Sequence, residues 1–263
     1  MKWTIICSKF SAIRFLTLLF SFSVFPIAIC PAQSATPQSA AQQAKADDTR
    51  AVFKRLNDYL RSSDVQFQTS YDSRNTSLGA SRGTARFYVA RPNLLRVELS
   101  GTGFSYVIVS DGTIFTIYDE KKRKYAQLPA PEKPIQAVNL FTGLAVFEAQ
   151  VLRFLGAVSD VANGDPSVRT DVGGSERVQD TQCNRYSIGY ASDRDADKWD
   201  VWLDNSGVPL PCKTVLMSQN NGSVQTNLYD WTNGRSPPDA FTFNPPAGST
   251  KVSIGDLDMR PPY

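Results

Sequence analysis

Residues 90–118, ARPNLLRVELSGTGFSYVIVSDGTIFTIY, contain the most regular strand pattern of the chain. Leu95, Val97 and Leu99 alternate with charged residues, which is the period-two pattern of an antiparallel strand with one buried face. Glycines at 101 and 103 then turn the chain into the next strand. The rest of the fold is expected to be built around this stretch.

The next two strands of the stretch are apolar on both faces. Residues 104–109, FSYVIV, and residues 114–118, IFTIY, flank Asp111-Gly112, a strong signal for a two-residue hairpin turn. An antiparallel sheet with one solvated face alternates between apolar and polar side chains, and these strands do not. A cover over the second face is therefore expected, formed by helices, by another sheet or by an apolar ligand.

Residues 1–34 are predicted to be a signal peptide. The segment carries three basic residues and no acidic one, and residues 15–29 form an apolar stretch that is short for a membrane span. Small residues before Ala35 favour cleavage there. A lipid anchor on Cys30 is the less favoured alternative, because a bulky isoleucine precedes that cysteine.

The composition excludes several classes of function. The chain has 28 basic and 25 acidic residues, so its net charge of +3 equals the three basic residues of the signal peptide, and the mature protein is neutral. Nucleic acid is therefore not an expected partner. The chain contains no histidine, which excludes Ser-His-Asp and Cys-His catalysis and histidine-containing zinc sites. We expect no enzymatic activity, no metal site and no cofactor.

One sequence motif suggests a nucleophile. Residues 79–83, GASRG, match the G-x-S-x-G pattern, which requires a preceding strand, a following helix and a histidine base. The sequence predicts a polar turn over residues 75–81 with a strand after it. No catalytic role is expected.

Two cysteines remain after removal of the signal peptide. Cys183 and Cys212 would be exported to an oxidising compartment, where two cysteines are expected to form a disulfide. A pair of buried free thiols is the less favoured alternative.

Helices and further strands are predicted outside the opening stretch. Residues 35–46 have low hydrophobicity and predict a flexible linker. A helix is predicted from Asp47, with one apolar stripe, and a second, largely apolar helix within residues 144–161. Strands are predicted from residue 65, and again after a polar loop at residues 164–174. A last strand at residues 240–244 brings the total to roughly ten to twelve, in one domain over residues 47–263.

Three short motifs resemble those of the LolA-type periplasmic lipoprotein carriers. They are Arg-Pro-Asn at residues 91–93, Val-Ser-Asp-Gly at 109–112 with Tyr118, and FTFNPPAG at 241–248. Their order is also similar to that in predicted periplasmic proteins of the LolA/LppX-type fold. The resemblance implies an all-β protein with inserted helices, namely an unclosed antiparallel β half-barrel whose concave face is covered by helices, with lipid bound between them. It also implies a periplasmic location.

The resemblance further implies a role for Arg91. In the carriers, the arginine of this motif helps to hold the helical lid by hydrogen bonding. The alternative for Arg91 is a solvated arginine at a strand end.

The leading hypothesis is a non-enzymatic periplasmic binding protein. Its ligand would be a lipid or the acyl chain of a lipoprotein, with transfer to the outer membrane as an extension of that role. The alternative is an envelope protein-interaction or sensor module of the same fold, with a protein partner and no lipid cargo. A monomer is expected in either case.

The predicted ligand-lining residues share the apolar strand positions and the second helix. For strands that are apolar on both sides, the choice of face stays open. The predicted set is Phe67, Phe87, Val89, Arg91, Leu95, Val97, Leu99, Tyr106, Ile108, Phe115, Ile117, Phe147, Leu152 and Leu155.

Overall fold

A twelve-stranded sheet dominates the computed structural model, which describes residues 37–75, 79–132, 148–190, 197–218, 222–232 and 236–257. The described residues also form helices α1, Pro37–Ser62, and α2, Glu148–Asn163. The strands are β1 Val65–Asn75, β2 Gly79–Ala90, β3 Leu94–Gly101, β4 Phe104–Asp111, β5 Ile114–Asp119, β6 Lys124–Pro129, β7 Val168–Val178, β8 Thr181–Tyr190, β9 Lys198–Asp204, β10 Pro211–Ser218, β11 Ser223–Thr232 and β12 Thr250–Lys251.

The strand order shows two meanders joined in the middle of the sheet. The order is β12-β6-β5-β4-β3-β2-β1-β11-β10-β9-β8-β7, so β1 and β11 connect the meander β1–β6 to the meander β7–β11. Neighbours are antiparallel, apart from the two-residue parallel pair between β12 and β6. Strands β12 and β7 form the two edges. The predicted fold class, all-β with inserted helices and an unclosed antiparallel half-barrel, is confirmed.

The helices lie on one face of the sheet, here called the inner face. Buried side chains on this face form two clusters. The N-terminal cluster contains Val65, Phe67, Tyr71, Ala85, Phe87, Leu95, Val97, Leu99, Tyr106, Ile108, Phe115, Ile117, Ala126, Tyr229 and Leu257. The C-terminal cluster contains Phe53, Leu56, Phe154, Ala157, Val158, Val161, Ala162, Tyr186, Ile188, Trp199, Val201, Leu203 and Leu216.

Helix α1 begins at Pro37 rather than at Asp47, so the linker predicted for residues 35–46 is wrong for residues 37–46. Two features of the sequence explain the difference. Proline is well tolerated in the first helical turn, and the alanines and glutamines that follow have high helix propensity. Low hydrophobicity was therefore a poor indicator of flexibility in this segment.

Helix α2 begins at Glu148, inside the segment predicted to be helical. It packs on the C-terminal cluster, with Phe154 against Trp199 at a ring distance of 5.7 Å. Residues 144–147, including Phe147, lie outside the described residues.

Three further predictions about strands need correction. Residues 168–174 of the predicted polar loop belong to β7, a mostly exposed edge strand in which Val168 and Val172 pack against the C-terminal cluster. Residues 79–83 belong to β2 rather than to a turn. The predicted strand at residues 240–244 is instead the end of a 3-10 turn, Pro238–Phe241, and an extended segment, in a region rich in proline.

This C-terminal segment, residues 237–249, covers the outer face of the opening stretch and is called the strap. Val107, Val109 and Tyr118 form a buried cluster on the outer face. The ring of Phe243 lies 5.6 Å from those of both Tyr118 and Tyr125. The strap therefore provides the second cover that the apolar pattern of β4 and β5 predicts.

Polar contacts fix both ends of the strap. Arg96 Nη1 donates to the carbonyl of Ala240 at 3.2 Å. The guanidinium of Arg123 donates to the carbonyl of Ala247, next to Gly248, whose φ of +77° favours glycine. The chain then enters β12.

The predicted disulfide between Cys183 and Cys212 is confirmed. It connects β8 to the start of β10 on the outer face, beside the buried ring of Trp202. The two cysteines are 29 residues apart in sequence, so the bond closes a loop that contains β9.

We predict that the double variant Cys183→Ala/Cys212→Ala is less stable than the wild type. Loop-closure entropy for a loop of this size gives a loss of about 3.6 kcal/mol in the free energy of unfolding. Urea denaturation followed by circular dichroism measures this quantity. Equal unfolding midpoints and slopes for the variant and the oxidised wild type would contradict the prediction.

Candidate ligand-binding face

The structure places most of the predicted lining residues together on the inner face, and it settles the choice of face in β4 and β5. Tyr106, Ile108, Phe115 and Ile117 point to the helix side, and Val107 points to the strap. The register explains the grouping, since these strands pair directly with β3 and β6. The members of the predicted set in the N-terminal cluster are Phe67, Phe87, Leu95, Val97, Leu99, Tyr106, Ile108, Phe115 and Ile117, and Val89 packs against it.

The predicted helix residues are placed differently. Leu155 is only partly buried, whereas its neighbour Phe154 is fully buried in the C-terminal cluster. Leu152 lies in α2, and its side chain is outside the described part of the structure. A ligand contact for each predicted lining residue stays a prediction.

An aromatic group lies at the β1–β11 junction. The ring of Phe67 stacks on Phe87 with centroids 4.6 Å apart and lies 4.5 Å from the ring of Trp231. Trp231 Nε1 donates to the carbonyl of Pro211 at 2.7 Å, which fixes the indole. The sequence analysis missed Tyr229 and Trp231 as members of this face. Their alternation along β11 is the signal that could have identified them.

The described cover over the N-terminal cluster comes from two places. Tyr59 and Leu60, in the last turn of α1, pack against it. So do Val252 and Ile254 from the C-terminal end, together with the buried Leu257. Leu60 also contacts the C-terminal cluster, so one helix spans both halves of the inner face.

Arg91 connects the β2–β3 turn to α1. Its guanidinium donates to the carbonyl of Leu60, and its backbone N–H donates to Asp64 Oδ1 at 2.9 Å. The carbonyls in the last turn of a helix have no intrahelical partner, so this contact satisfies one of them. Burial lowers the pKa of Arg91 from its ordinary value, and the carboxylate of Asp64 acts in the opposite direction. The hydrogen bond to a covering helix is the contact that the family resemblance implies.

Two of the three resemblance motifs contact each other. Asn93 Nδ2 donates to the carbonyl of Gly112 at 3.0 Å, and Ser110 Oγ donates to the carbonyl of Asn93 at 2.9 Å. Gly112 has a φ of +89°, and a Cβ there would lie 3.0 Å from Asn93 Oδ1. These contacts hold the β4–β5 turn against the β2–β3 turn that carries Arg91.

The inner face also contains a row of polar side chains that the sequence analysis missed. This polar strip consists of Thr69, Thr214, Gln225, Asn227 and Tyr229 on β1, β10 and β11, and all are at most 5% exposed. Gln225 Nε2 donates to Asn227 Oδ1 at 3.0 Å, and Asn227 Nδ2 donates to Thr214 Oγ1 at 3.1 Å.

Tyr229 completes this network without carrying charge. Its hydroxyl lies 3.2 Å from Thr214 Oγ1. Burial raises the pKa of Tyr229 above its ordinary value, although the hydrogen bond to Thr214 opposes this shift. The phenol is therefore neutral at physiological pH, and the strip is polar and uncharged.

The fold and the apolar inner face define a class of half-barrel proteins with a helix-covered interior. The chain belongs to the DUF2092 family of predicted periplasmic proteins, which matches residues 49–255. This match confirms the resemblance and agrees with the predicted periplasmic location. Within the described residues, no helix has the length and hydrophobicity needed to cross a membrane. The sequence has no match among curated proteins.

Several solved structures are similar to this chain at low sequence identity. One of them is a chain of the Pseudomonas aeruginosa MucA/MucB complex, which has 16% identity over 75% of this chain and 61% of its own length, with a TM-score of 0.46. The Mycobacterium tuberculosis lipoprotein LppX has 12% identity over 72% of this chain and 98% of its own, with a TM-score of 0.42. A LolA superfamily protein from Nitrosomonas europaea has 12% identity over 74% of this chain and 97% of its own, with a TM-score of 0.32. The fold assignment rests on the strand order itself.

We predict that Arg91→Met loosens the last turn of α1. The substitution keeps much of the side-chain volume but leaves the carbonyl of Leu60 unpaired, at a cost of about 1–2 kcal/mol. Hydrogen–deuterium exchange should then be faster in that turn than in the wild type. The control is Arg82→Met, because Arg82 is 75% exposed and its ion pair with Asp72 contributes little. Unchanged exchange in the Arg91 variant would contradict the role given to this residue.

Proposed function

We propose that the protein is a non-enzymatic periplasmic binding protein that holds a lipid or acylated ligand on the N-terminal cluster. The observation that carries the proposal is the continuous apolar surface across β1 to β6 on the helix-covered face. A surface of this kind offers no directional polar contact over most of its area. It suits long hydrocarbon chains better than compact polar molecules.

The energetics of apolar burial are sufficient for this function. Each buried methylene contributes about 0.8 kcal/mol, so an acyl chain gains affinity from length alone. The stacked rings of Phe67 and Phe87 add a flat apolar surface at the β1 end of the N-terminal cluster.

The described helices account for only part of the cover over the N-terminal cluster. Six adjacent strands span about 24 Å, whereas one helix is about 10 Å wide. Among the described elements, α2 packs on the C-terminal cluster, and α1 reaches the N-terminal cluster through its last turn.

Binding requires the cover to move, because the inner face is closed. Phe115 is 0% exposed and Ile117 is 1% exposed. The last turn of α1, held by the hydrogen bond from Arg91 to Leu60, is the part of the described cover that we expect to open. Arg91 therefore holds the last turn of α1 in its closed position, and substitution of Arg91 should accelerate both entry and release of ligand.

The cargo class follows from the proposed site. A free lipid or the acyl chain of a lipoprotein presents the same hydrocarbon to the N-terminal cluster. Delivery of such a cargo to the outer membrane extends the proposal, since the predicted export signal and a closable apolar site suit a periplasmic carrier.

We predict that Val97→Glu weakens ligand binding at least tenfold, because a carboxyl group in the apolar face loses its hydration. The assay follows N-phenyl-1-naphthylamine fluorescence on delipidated protein. The matched control is Ser100→Glu, which adds the same group to the exposed side of β3. The smaller change Val97→Thr should act in the same direction and provides a variant that folds.

Two results would count against the proposed function. Equal probe affinity for folded Val97→Glu, Ser100→Glu and wild-type protein would exclude the N-terminal cluster as the site. Failure of the wild type to bind any long-chain probe would instead favour a protein-interaction module whose interior is filled by its own side chains.

A further inference from the structure

The polar strip is an unusual feature of an apolar inner face. Thr69 and Tyr229 pair across the β1–β11 junction, and Tyr229 is itself a member of the N-terminal cluster. The strip therefore borders the surface on which the ligand is proposed to lie. A polar row in this position needs a reason, because apolar side chains of similar volume would pack equally well.

Some of the hydrogen-bonding capacity of the polar strip is unused. Within the described chain, Thr69 Oγ1 and Gln225 Oε1 are buried and have no hydrogen-bond partner. Thr69 is 0% exposed and Gln225 is 1% exposed, so bulk water does not reach either residue. Roughly nine in ten buried polar groups in proteins are paired, which makes two unpaired atoms in one row informative.

The chemistry of these two atoms defines their complement. Gln225 uses its amide nitrogen to donate to Asn227, so the unpaired atom is a carbonyl oxygen that can only accept. The hydroxyl of Thr69 can donate or accept. The strip has no charged member, so a charged head group would lose its hydration here without a counter-charge. An uncharged hydroxyl group is a suitable partner for either atom.

We infer that the polar strip holds the uncharged, hydroxyl-bearing head group of the ligand whose acyl chain lies on the N-terminal cluster. This inference rests on the proposed function and specifies the ligand class. The two unpaired atoms are four residues apart in register, since Ser73 of β1 pairs with Gln225, which is about 13 Å along the strand, so a small head group reaches one of them at a time. Burial of the acyl chain supplies most of the affinity, and the polar strip selects ligands with a hydroxyl-bearing head group over ligands without one.

The test compares two probes with the same acyl chain on the delipidated mature protein. 1-Monopalmitoylglycerol has two free hydroxyl groups, and methyl palmitate has none. Each displaces N-phenyl-1-naphthylamine, and the loss of fluorescence gives its affinity. The wild type is expected to bind monopalmitoylglycerol roughly fivefold to tenfold more tightly, as one neutral hydrogen bond would give.

Two variants remove the unpaired atoms with little change in shape. Gln225→Met keeps the side-chain length without the carbonyl oxygen and also removes the hydrogen bond to Asn227, and Thr69→Val replaces a hydroxyl by a methyl group. Because a glycerol head group reaches one of the two atoms at a time, each variant is expected to reduce the preference for monopalmitoylglycerol and to leave the affinity for methyl palmitate unchanged. The matched controls are Gln66→Met and Thr226→Val, on the opposite face of the same strands, and both should keep the wild-type preference.

The outcomes separate the two proposals. Loss of preference in either inner-face variant, with both controls unaffected, supports the head-group site. Equal binding of the two probes by the wild type, or a preference that survives in both inner-face variants, overturns the head-group site while the acyl-binding function stands. Failure of both probes to bind overturns the two proposals together. Thr69→Val keeps the test decisive if Gln225→Met does not fold.

Discussion

Strands β4 and β5 carry apolar side chains on both faces, and much of the structure serves to cover both sides of this hairpin. On the inner face, α1 and the C-terminal residues around Leu257 contact the same cluster as Ile108 and Ile117. On the outer face, the strap places Phe243 against Tyr118. Because the covers come from opposite ends of the described chain, the opening stretch is enclosed by segments distant in sequence. Burial of its apolar surface is therefore a property of the complete domain.

The short motifs that carry the family resemblance explain how the covers are attached. The Arg-Pro-Asn turn bonds to α1 through Arg91 and to the neighbouring β4–β5 turn through Asn93. The FTFNPPAG segment supplies Phe243 and the carbonyl of Ala247 that Arg123 holds. The motifs thus attach α1 to the inner face of the sheet and the strap to its outer face. This makes them compatible with a binding function in which the lid opens while the sheet stays intact.

Sequence reasoning predicted the features that depend on local pattern. Alternation identified the central strands, and export together with the pair of remaining cysteines predicted the disulfide. Features that depend on distant pairing were missed. Along β11 both faces contain apolar residues, so alternation groups Gln225 and Asn227 with Tyr229 and Trp231, and the pairing with β1 shows that this group points inward. The edge strand β7 has only a weak local signal, from Val168 and Val172, and the strap residues around Phe243 form no regular element, so neighbours in space decide the structure of both segments.

The inner face combines a large apolar surface with a small uncharged polar strip, and we propose that a lipid occupies this interior. Native mass spectrometry of the protein, purified from the periplasm without detergent, tests this occupancy. We expect a species heavier than the mature polypeptide by the mass of a lipid, which is lost on collisional activation and recovered by solvent extraction. A spectrum that contains only the bare polypeptide, with no lipid in the extract, would contradict it.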